Sequence, residues 1–215
     1  MTSAALSFTL IYLGKGALMT IALALGASLV SGFLGLVLAL ARLYGGWPLR
    51  LLVGAVVFVI RGVPLLILLV GVFVILPYLG VRMPSALVAV FTIGIYFAAY
   101  ASEIYRAAIL SIPLTQWDAG RSLGFTPWRV FSVVVFPQTV RFCAAPLIGI
   151  FIMTVKATSL VYAIGSWELL TAGKETAERT FQILPVYLGV AAIYFVVCFG
   201  LSRLARRVEK ATTYG

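Results

Sequence analysis

Two basic residues lie inside otherwise apolar runs of this sequence, where their charge could hold an anionic group. Arg61 opens the element Arg-Gly-Val-Pro, and Lys156 opens the element Lys-Ala-Thr-Ser-Leu. A charged side chain at mid-membrane costs about 2.5 to 3.5 kcal/mol on insertion scales, so it faces protein or a water-filled cavity. Pro64 also removes a backbone hydrogen bond, which predicts a kinked or broken helix. The structural alternative is that both side chains reach the membrane interface or cap helix carbonyls.

The residue types that most often carry catalysis or bind metals are scarce. The chain has no histidine, and its two cysteines, Cys143 and Cys198, lie within apolar stretches, so a disulfide framework is not expected. No cluster of cysteines or carboxylates has the spacing of metal ligands. No segment has the G-x-x-x-x-G-K-[ST] pattern of a phosphate-binding loop. The sequence therefore predicts a chain with no catalytic residue, no metal site and no cofactor of its own.

The elements that must position these residues are membrane helices. Of the 215 residues, 63% are hydrophobic and only 10% are charged, whereas soluble domains have about 25% charged residues. Apolar runs long enough to cross a bilayer recur along the chain. We predict an all-α integral membrane protein with five transmembrane helices in a single domain of residues 1–215. The predicted spans are residues 10–41, 51–79, 85–106, 138–160 and 181–204.

The basic residues set the expected orientation of the spans. The net charge is +10. The basic residues lie between apolar runs, which is the pattern of cytoplasmic loops and not of a nucleic-acid-binding surface. An outside N-terminus and a cytoplasmic C-terminus place ten loop and terminal Lys and Arg residues inside and four outside. The opposite orientation reverses that ratio. The cytoplasmic set is Arg42, Arg50, Arg106, Arg121, Arg129, Arg141, Arg203, Arg206, Arg207 and Lys210, and the outer set is Lys15, Arg82, Lys174 and Arg179.

The longest segment unsuited to lipid is residues 107–137, between the third and fourth spans. Residues 116–123 favour a short helix, with Asp118 near its positive N-terminal end. Gly124 fits the left-handed residue that ends a helix. Thr126 and Pro127 fit the N-cap and first position of the next helix. The pattern predicts two short helices joined by a sharp turn, either a docking element for a partner or an ordinary hairpin between spans.

The spacing in this segment resembles the EAA loop, or coupling loop, of ABC importer permeases. The family pattern is Glu-Ala-Ala, three residues, Gly, nine residues, Ile, one residue and Leu-Pro. This chain has Asp118-Ala119-Gly120, three residues, Gly124, nine residues, Val134, one residue and Phe136-Pro137. The resemblance implies a cytoplasmic loop that docks into a cleft of an ATPase subunit. The implied coupling residues are Gln116, Asp118, Ala119, Gly120, Gly124 and Pro137.

Three further elements resemble the permease subunits of ABC importers for polar amino acids and opines. Arg61 to Pro64 matches Arg-Gly-Thr-Pro with Val63 for Thr, Lys156 to Leu160 matches Lys-Asp-Thr-Ser-Leu with Ala157 for Asp, and Glu-Leu-Leu begins at Glu168. With the coupling loop they keep the family's order and separation from residue 15 to residue 210. The residues implied along the substrate path are Arg61, Gly62, Pro64, Lys156, Thr158, Ser159 and Glu168.

The resemblance also implies the partners and the compartment. It implies two cytoplasmic ABC ATPase subunits that hold ATP and Mg²⁺, a second permease subunit that is identical or homologous, and an extracytoplasmic binding protein that delivers the solute. It places the chain as a multi-pass protein in a bacterial inner membrane. The implied function is ATP-driven uptake of a polar amino acid or related small solute, with this chain as a non-catalytic subunit that forms the path.

Two questions about function stay open from the sequence. A secondary transporter or a channel for a small polar solute is the alternative, because broken helices and charges within the membrane also suit that class. Against it, no inverted repeat is detectable and no carboxylate lies in the interior of a span to carry a coupling proton, since Glu103 sits at a membrane edge. Ala157, which replaces the family's Asp beside Lys156, favours neutral or acidic solutes, or leaves the solute pocket to the partner subunit.

Overall fold

The chain folds into helices that follow its apolar runs. The computed structural model describes residues 3–213, with side chains over residues 9–210, and no strand occurs within that part of the chain. A π-helical turn (Phe131–Val135) and a 3₁₀ helix (Thr158–Ile164) flank the α-helix of Phe136–Ala157. The α-helices are α1 (Ser3–Tyr44), α2 (Trp47–Gly62), α3 (Leu65–Tyr78), α4 (Ser85–Leu110), α5 (Leu114–Ser122), α6 (Pro127–Val130), α7 (Phe136–Ala157), α8 (Leu169–Thr180) and α9 (Ile183–Thr213).

Four helical segments in the described part of the chain are long and apolar enough to cross a membrane. They are Thr9–Tyr44, Ser85–Leu110, Pro127–Ile164 and Ile183–Lys210. Helices α2 and α3 meet this criterion only as a pair, and they are bent by 105° at the short break between them. The described residues therefore contain four crossings, or five if the bent pair is one span.

The break between α2 and α3 confirms the predicted helix interruption near Pro64. Helix α2 ends at Gly62, and α3 begins at Leu65 directly after Pro64. Val63 is extended, with φ −99° and ψ 136°, because the proline ring disfavours a helical conformation in the residue before it. The local sequence thus accounts for where the helix breaks.

Helices α1 and α4 form the most extensive pair and run parallel. A Cβ at Gly94 would lie 2.7 Å from Val30, and one at Gly35 would lie 2.7 Å from Ala101. Residue numbers therefore rise in the same direction along both helices. Glycines at these two crossings allow the backbones to approach closely, which is the usual way that membrane helices pack.

The structure divides the predicted loop of residues 107–137 differently from the sequence pattern. Helix α4 continues to Leu110, and helical structure is continuous from Pro127 through the π-turn to Ala157. The predicted second short helix is therefore the beginning of a long helix, and only α5 stands alone. Pro137 lies inside this run because the π-turn immediately before it tolerates a residue that lacks an N–H donor.

Helix α8 is less exposed than its polar sequence suggests. The polar composition of residues 166–179 would suit an extramembrane helix or loop, and most of them form α8. One face of α8 is buried against α1 and α9, with Leu169 and Ala172 packed beside Leu13 and Val190. The charged residues Glu178 and Arg179 are exposed, and Lys174 and Glu175 are half-buried. The segment is therefore an amphipathic helix tied to the bundle.

Candidate functional site

Helix α5 ends in a tight turn that sets the direction of the following helix. Gly124 has a positive φ of 76°, its N–H donates to the Arg121 carbonyl at 2.9 Å, and the Phe125 N–H donates to the Gly120 carbonyl at 3.2 Å. This pair of bonds is a Schellman motif, which needs a left-handed residue. The Thr126 hydroxyl accepts from the Arg129 N–H. The predicted glycine stop and Thr-Pro start are both confirmed.

Close packing fixes α5 against the start of the next helix. Gly120 is buried, and a Cβ there would lie 2.9 Å from Val130. Val130 in turn belongs to a small apolar core with Ile109 and Ile112 from the end of α4, against which Leu40 of α1 packs. Through Val130, α5 is therefore connected by close packing to the adjoining ends of α1 and α4.

The remaining residues predicted for coupling lie on the surface. Gln116, Asp118 and Ala119 are exposed on α5, and Pro137 is exposed on α7. Asp118 is the fifth residue of α5, because the helix begins at Leu114 and not near residue 116. The prediction that its carboxylate lies at the helix N-terminus is therefore wrong. Instead its carboxylate faces Arg121 at 3.5 Å across one helical turn.

The sequence analysis missed an aromatic groove beside α5. The groove has a volume of about 530 Å³ and lies between the end of α1 and the α5 turn. Trp128 is 72% exposed, and the Phe131 ring lies 5.7 Å from that of Trp128 and 6.5 Å from that of Trp117. Two tryptophans in a polar segment were the available signal. The lining residues are Leu40, Tyr44, Trp117, Arg121, Pro127, Trp128 and Phe131.

At the break between α2 and α3, Arg61 and Gly62 line a small groove with Phe58 and Tyr100. The Arg61 guanidinium lies 5.1 Å from the centroid of the Tyr100 ring, and the Tyr100 hydroxyl donates to the Arg61 carbonyl at 3.5 Å. The Arg61 side chain is 43% exposed. The Arg61 guanidinium is therefore exposed on one side and contacts an aromatic ring on the other.

Next to this break, a single carboxylate group lies close to three arginine side chains. Glu103 of α4 contacts Arg42 of α1, and its other oxygen lies 2.9 Å from Arg106. Arg61 of α2 is 3.7 Å from Glu103. No sequence motif indicates this cluster, because its members lie up to 64 residues apart along the chain.

Lys156 lies at the end of α7, at a second interruption. It lines a groove of about 270 Å³ between α7 and α9, with Tyr194 and Cys198 among the lining residues. Among the described residues, no carboxylate lies within 4 Å of its ammonium group. Thr158 is buried and donates to the Val155 carbonyl, whereas Ser159 donates to the Lys156 carbonyl. Arg61 and Lys156 therefore line separate grooves.

Glu168 is the N-cap of α8 and has no exposed surface. One carboxylate oxygen accepts from the Thr171 N–H, and the other accepts from the Leu170 N–H, each at 2.9 Å. Tyr194 of α9 donates to it at 2.9 Å and Thr20 of α1 at 3.4 Å. The buried carboxylate therefore ties three helices together, and a solute could reach it only after these helices separate.

The end of the bundle that holds α8 carries a larger groove of about 770 Å³. Lys174 of α8 donates to the Tyr162 hydroxyl at 2.8 Å, and this hydrogen bond raises the pKa of the lysine ammonium above its ordinary value. Phe181, which has a positive φ of 57°, and Tyr187 complete the opposite wall. The groove thus combines aromatic rings with a retained positive charge. No group of residues suited to hold a metal ion occurs in the described part of the chain.

These features define a class of protein: an all-helical membrane transport subunit, with charged residues at helix breaks and one short helix packed at the end of the bundle. The chain belongs to the family of binding-protein-dependent transport system inner membrane components, which its residues 31–214 match. Membership confirms the resemblance to ABC importer permeases that the sequence motifs indicated.

Known relatives match almost the whole chain. It is 37% identical to the L-cystine transport system permease protein of Bacillus subtilis (strain 168), over 92% of this chain and 85% of that protein. It is 34% identical to the glutamine transport system permease protein of Escherichia coli (strain K12), over 91% and 90% of the two chains. A crystal structure described as an amino acid ABC transporter with histidines superimposes with a TM-score of 0.87 at 30% identity, covering 98% of this chain and 100% of that one. The all-helical fold is therefore shared along its length.

Proposed function

We propose that this chain is the permease subunit of an ATP-driven importer for a polar amino acid or a related small solute. The relatives named above for cystine and glutamine transport support this solute class. The observation that carries the proposal is the α5 turn, because it combines the spacing of a coupling loop with rigid packing onto α1 and α4. The chain itself is non-catalytic in this proposal.

We infer the partners from membership of this family. Two cytoplasmic ATPase subunits hold ATP and Mg²⁺, and one of them docks on α5 and the aromatic groove beside it. The exposed faces of Gln116, Asp118, Ala119 and Trp128 offer side chains for that contact. A second permease subunit, identical or homologous, and an extracytoplasmic binding protein complete the complex.

The bent pair α2 and α3 counts as one span in this proposal, which gives five. Two helices that run parallel must be joined by a segment that returns the chain across the membrane. Because α1 and α4 are parallel, α2 and α3 together make that single return crossing. With the charge bias of ten to four, the N-terminus lies outside, and the α5 turn and the C-terminus lie in the cytoplasm.

The solute path follows the exposed side of the second interruption. Lys156 and Tyr162 are exposed on the same side of consecutive turns, with the half-buried Ser159 between them. This polar line is costly against lipid, so we place it along the path, with Lys156 binding the solute carboxylate. Arg61, Gly62 and Pro64 form a second contact with the solute. Thr158 and Glu168 are buried behind the path and hold its lining residues in place.

The test is co-purification with the ATPase subunit from bacterial membranes. Gly124→Val should leave insertion intact and reduce the recovered ATPase at least fivefold, because a β-branched residue cannot easily adopt a positive φ and both flanking helices reorient. Gly124→Asn is the matched control, since asparagine tolerates the left-handed region. If the valine variant retains wild-type amounts of ATPase, the α5 turn is not the coupling element.

A further inference from the structure

The arginine cluster at Glu103 brings together side chains from three helices, α1, α2 and α4. Arg42 comes from the last turn of α1, Arg61 from the last turn of α2, and Arg106 from α4 itself. Of the three contacts to Glu103, the one to Arg61 links α4 to the broken span. This contact is also the longest of the three, at 3.7 Å between Arg61 Nη1 and Glu103 Oε1.

The Glu103 carboxylate is the common partner of the three arginines. One carboxylate faces three guanidinium groups, so its loss would leave three positive charges close together in a partly buried site. Arg42 and Arg106 hold the carboxylate on both sides, which fixes its direction on α4. The half-exposed Arg61 is then the member that can exchange its partner when α2 moves.

Helix geometry connects Glu103 to the coupling element. Glu103 lies seven residues before the end of α4 at Leu110, a distance of about 10 Å along a rigid helix. Ile109 and Ile112 at that end pack with Val130 beside α5. A displacement of α5 would therefore displace α4. Glu103 would move with α4 because it belongs to that helix.

We propose that Glu103 is a positioning residue that transmits movement of the α5 turn to the helix break at residues 61–64 through Arg61. The inference rests on the proposed function, because it assumes that an ATPase acts on α5. Movement of α4 alters the Arg61–Glu103 contact, and the angle between α2 and α3 changes with it. Tyr100 lies one turn before Glu103 in α4 and stacks on Arg61. It therefore keeps the end of α2 beside α4 during this movement.

The test uses the complete complex of this chain with its ATPase subunit and binding protein, reconstituted in proteoliposomes. The solute is L-glutamine or L-cystine, whichever the wild-type complex accumulates. Glu103→Gln and Arg61→Met should each lower the number of solute molecules imported per ATP hydrolysed at least tenfold. The double variant should be no worse than the poorer single variant, because both changes remove one link.

Arg106→Met is the matched control. Arg106 also contacts Glu103, but both residues lie on α4, so its loss does not disconnect α2 and the import ratio should stay within twofold of wild type. Arg61→Met leaves Glu103 paired with Arg42, so it carries the test if Glu103→Gln does not insert. Additive effects of the two changes, or an unchanged import ratio, would overturn the inference.

Substrate kinetics separate this role from direct solute binding. If Arg61 only binds solute, Arg61→Met raises the KM for uptake while Glu103→Gln leaves the import ratio intact, and the inference fails. If the wild-type complex shows no ATP-dependent uptake of any amino acid, the proposed function fails first. Wild-type import together with normally coupled variants contradicts only the role of Glu103.

Discussion

At the scale of single residues, Lys156 is the sharpest test of the solute path. Lys156→Ala should lower the rate of solute uptake at least tenfold while changing the recovery of ATPase subunit less than twofold, because the ammonium lies far along the chain from α5 and has no carboxylate partner among the described residues. Lys156→Arg, which keeps the charge, should retain more uptake than Lys156→Ala. A loss of assembly without a specific loss of uptake would instead assign a structural role to the lysine.

Glu168 gives a prediction about stability. In Glu168→Gln, one of the two acceptor oxygens becomes an NH₂ donor that faces backbone N–H groups and hydroxyls, so buried donors lose their partner at a cost of about 1 to 3 kcal/mol. The midpoint of thermal unfolding in detergent should fall by about 2 to 4 °C for each kcal/mol. Glu178→Gln, at an exposed position on the same helix, is the control and should leave the midpoint nearly unchanged.

The sequence predicts a residue's role well where the cause is local. Gly124, Thr126 and Pro127 act on their own turn, so their types and spacing suffice. Glu168 and Glu103 depend on partners from other helices, the Thr20 hydroxyl being 148 residues away from Glu168. Such contacts arise from helix packing, and no short pattern encodes them. Residues whose partners come from distant helices are for this reason the hardest to predict.

At the scale of elements, hydrophobic runs locate the helices but misplace some ends. Thr126 starts a helix as predicted, yet this helix is continuous with α7. The π-turn lets the helix include Pro137 without ending there. Helix α8 is polar overall, so its composition alone predicts exposure. Its small residues, such as Ala172 and Gly173, are what allow it to pack closely on α1 and α9.

The orientation of these elements can be tested by cysteine labelling. A cysteine at Thr126 should react with a membrane-impermeant maleimide only from the cytoplasmic side, and a cysteine at Glu178 only from the outer side, as the bias of basic residues requires. The native Cys143 and Cys198 are buried, so the wild-type protein should give little background. The reverse labelling pattern would contradict the orientation of every span.

At the scale of the whole molecule, the two ends of the bundle have different constructions. One end holds the α5 turn packed against α1 and α4, and the other holds α8 packed against the beginnings of α1 and α9. The interruptions at residues 61–64 and after Lys156 lie between these ends. Movement at either end can therefore reach a break by displacement of packed helices, which is how a transport subunit would respond to an ATPase on one side and a binding protein on the other.

In the proposed function, ATP hydrolysis drives solute through this chain. The most direct measurement is uptake of L-glutamine and L-cystine into proteoliposomes that contain the chain, its ATPase subunit and its binding protein. We expect accumulation when ATP and Mg²⁺ are present on the α5 side, none with a non-hydrolysable ATP analogue, and none with a proton gradient alone. Uptake driven by the gradient in vesicles that contain only this chain would contradict the account and identify a secondary transporter.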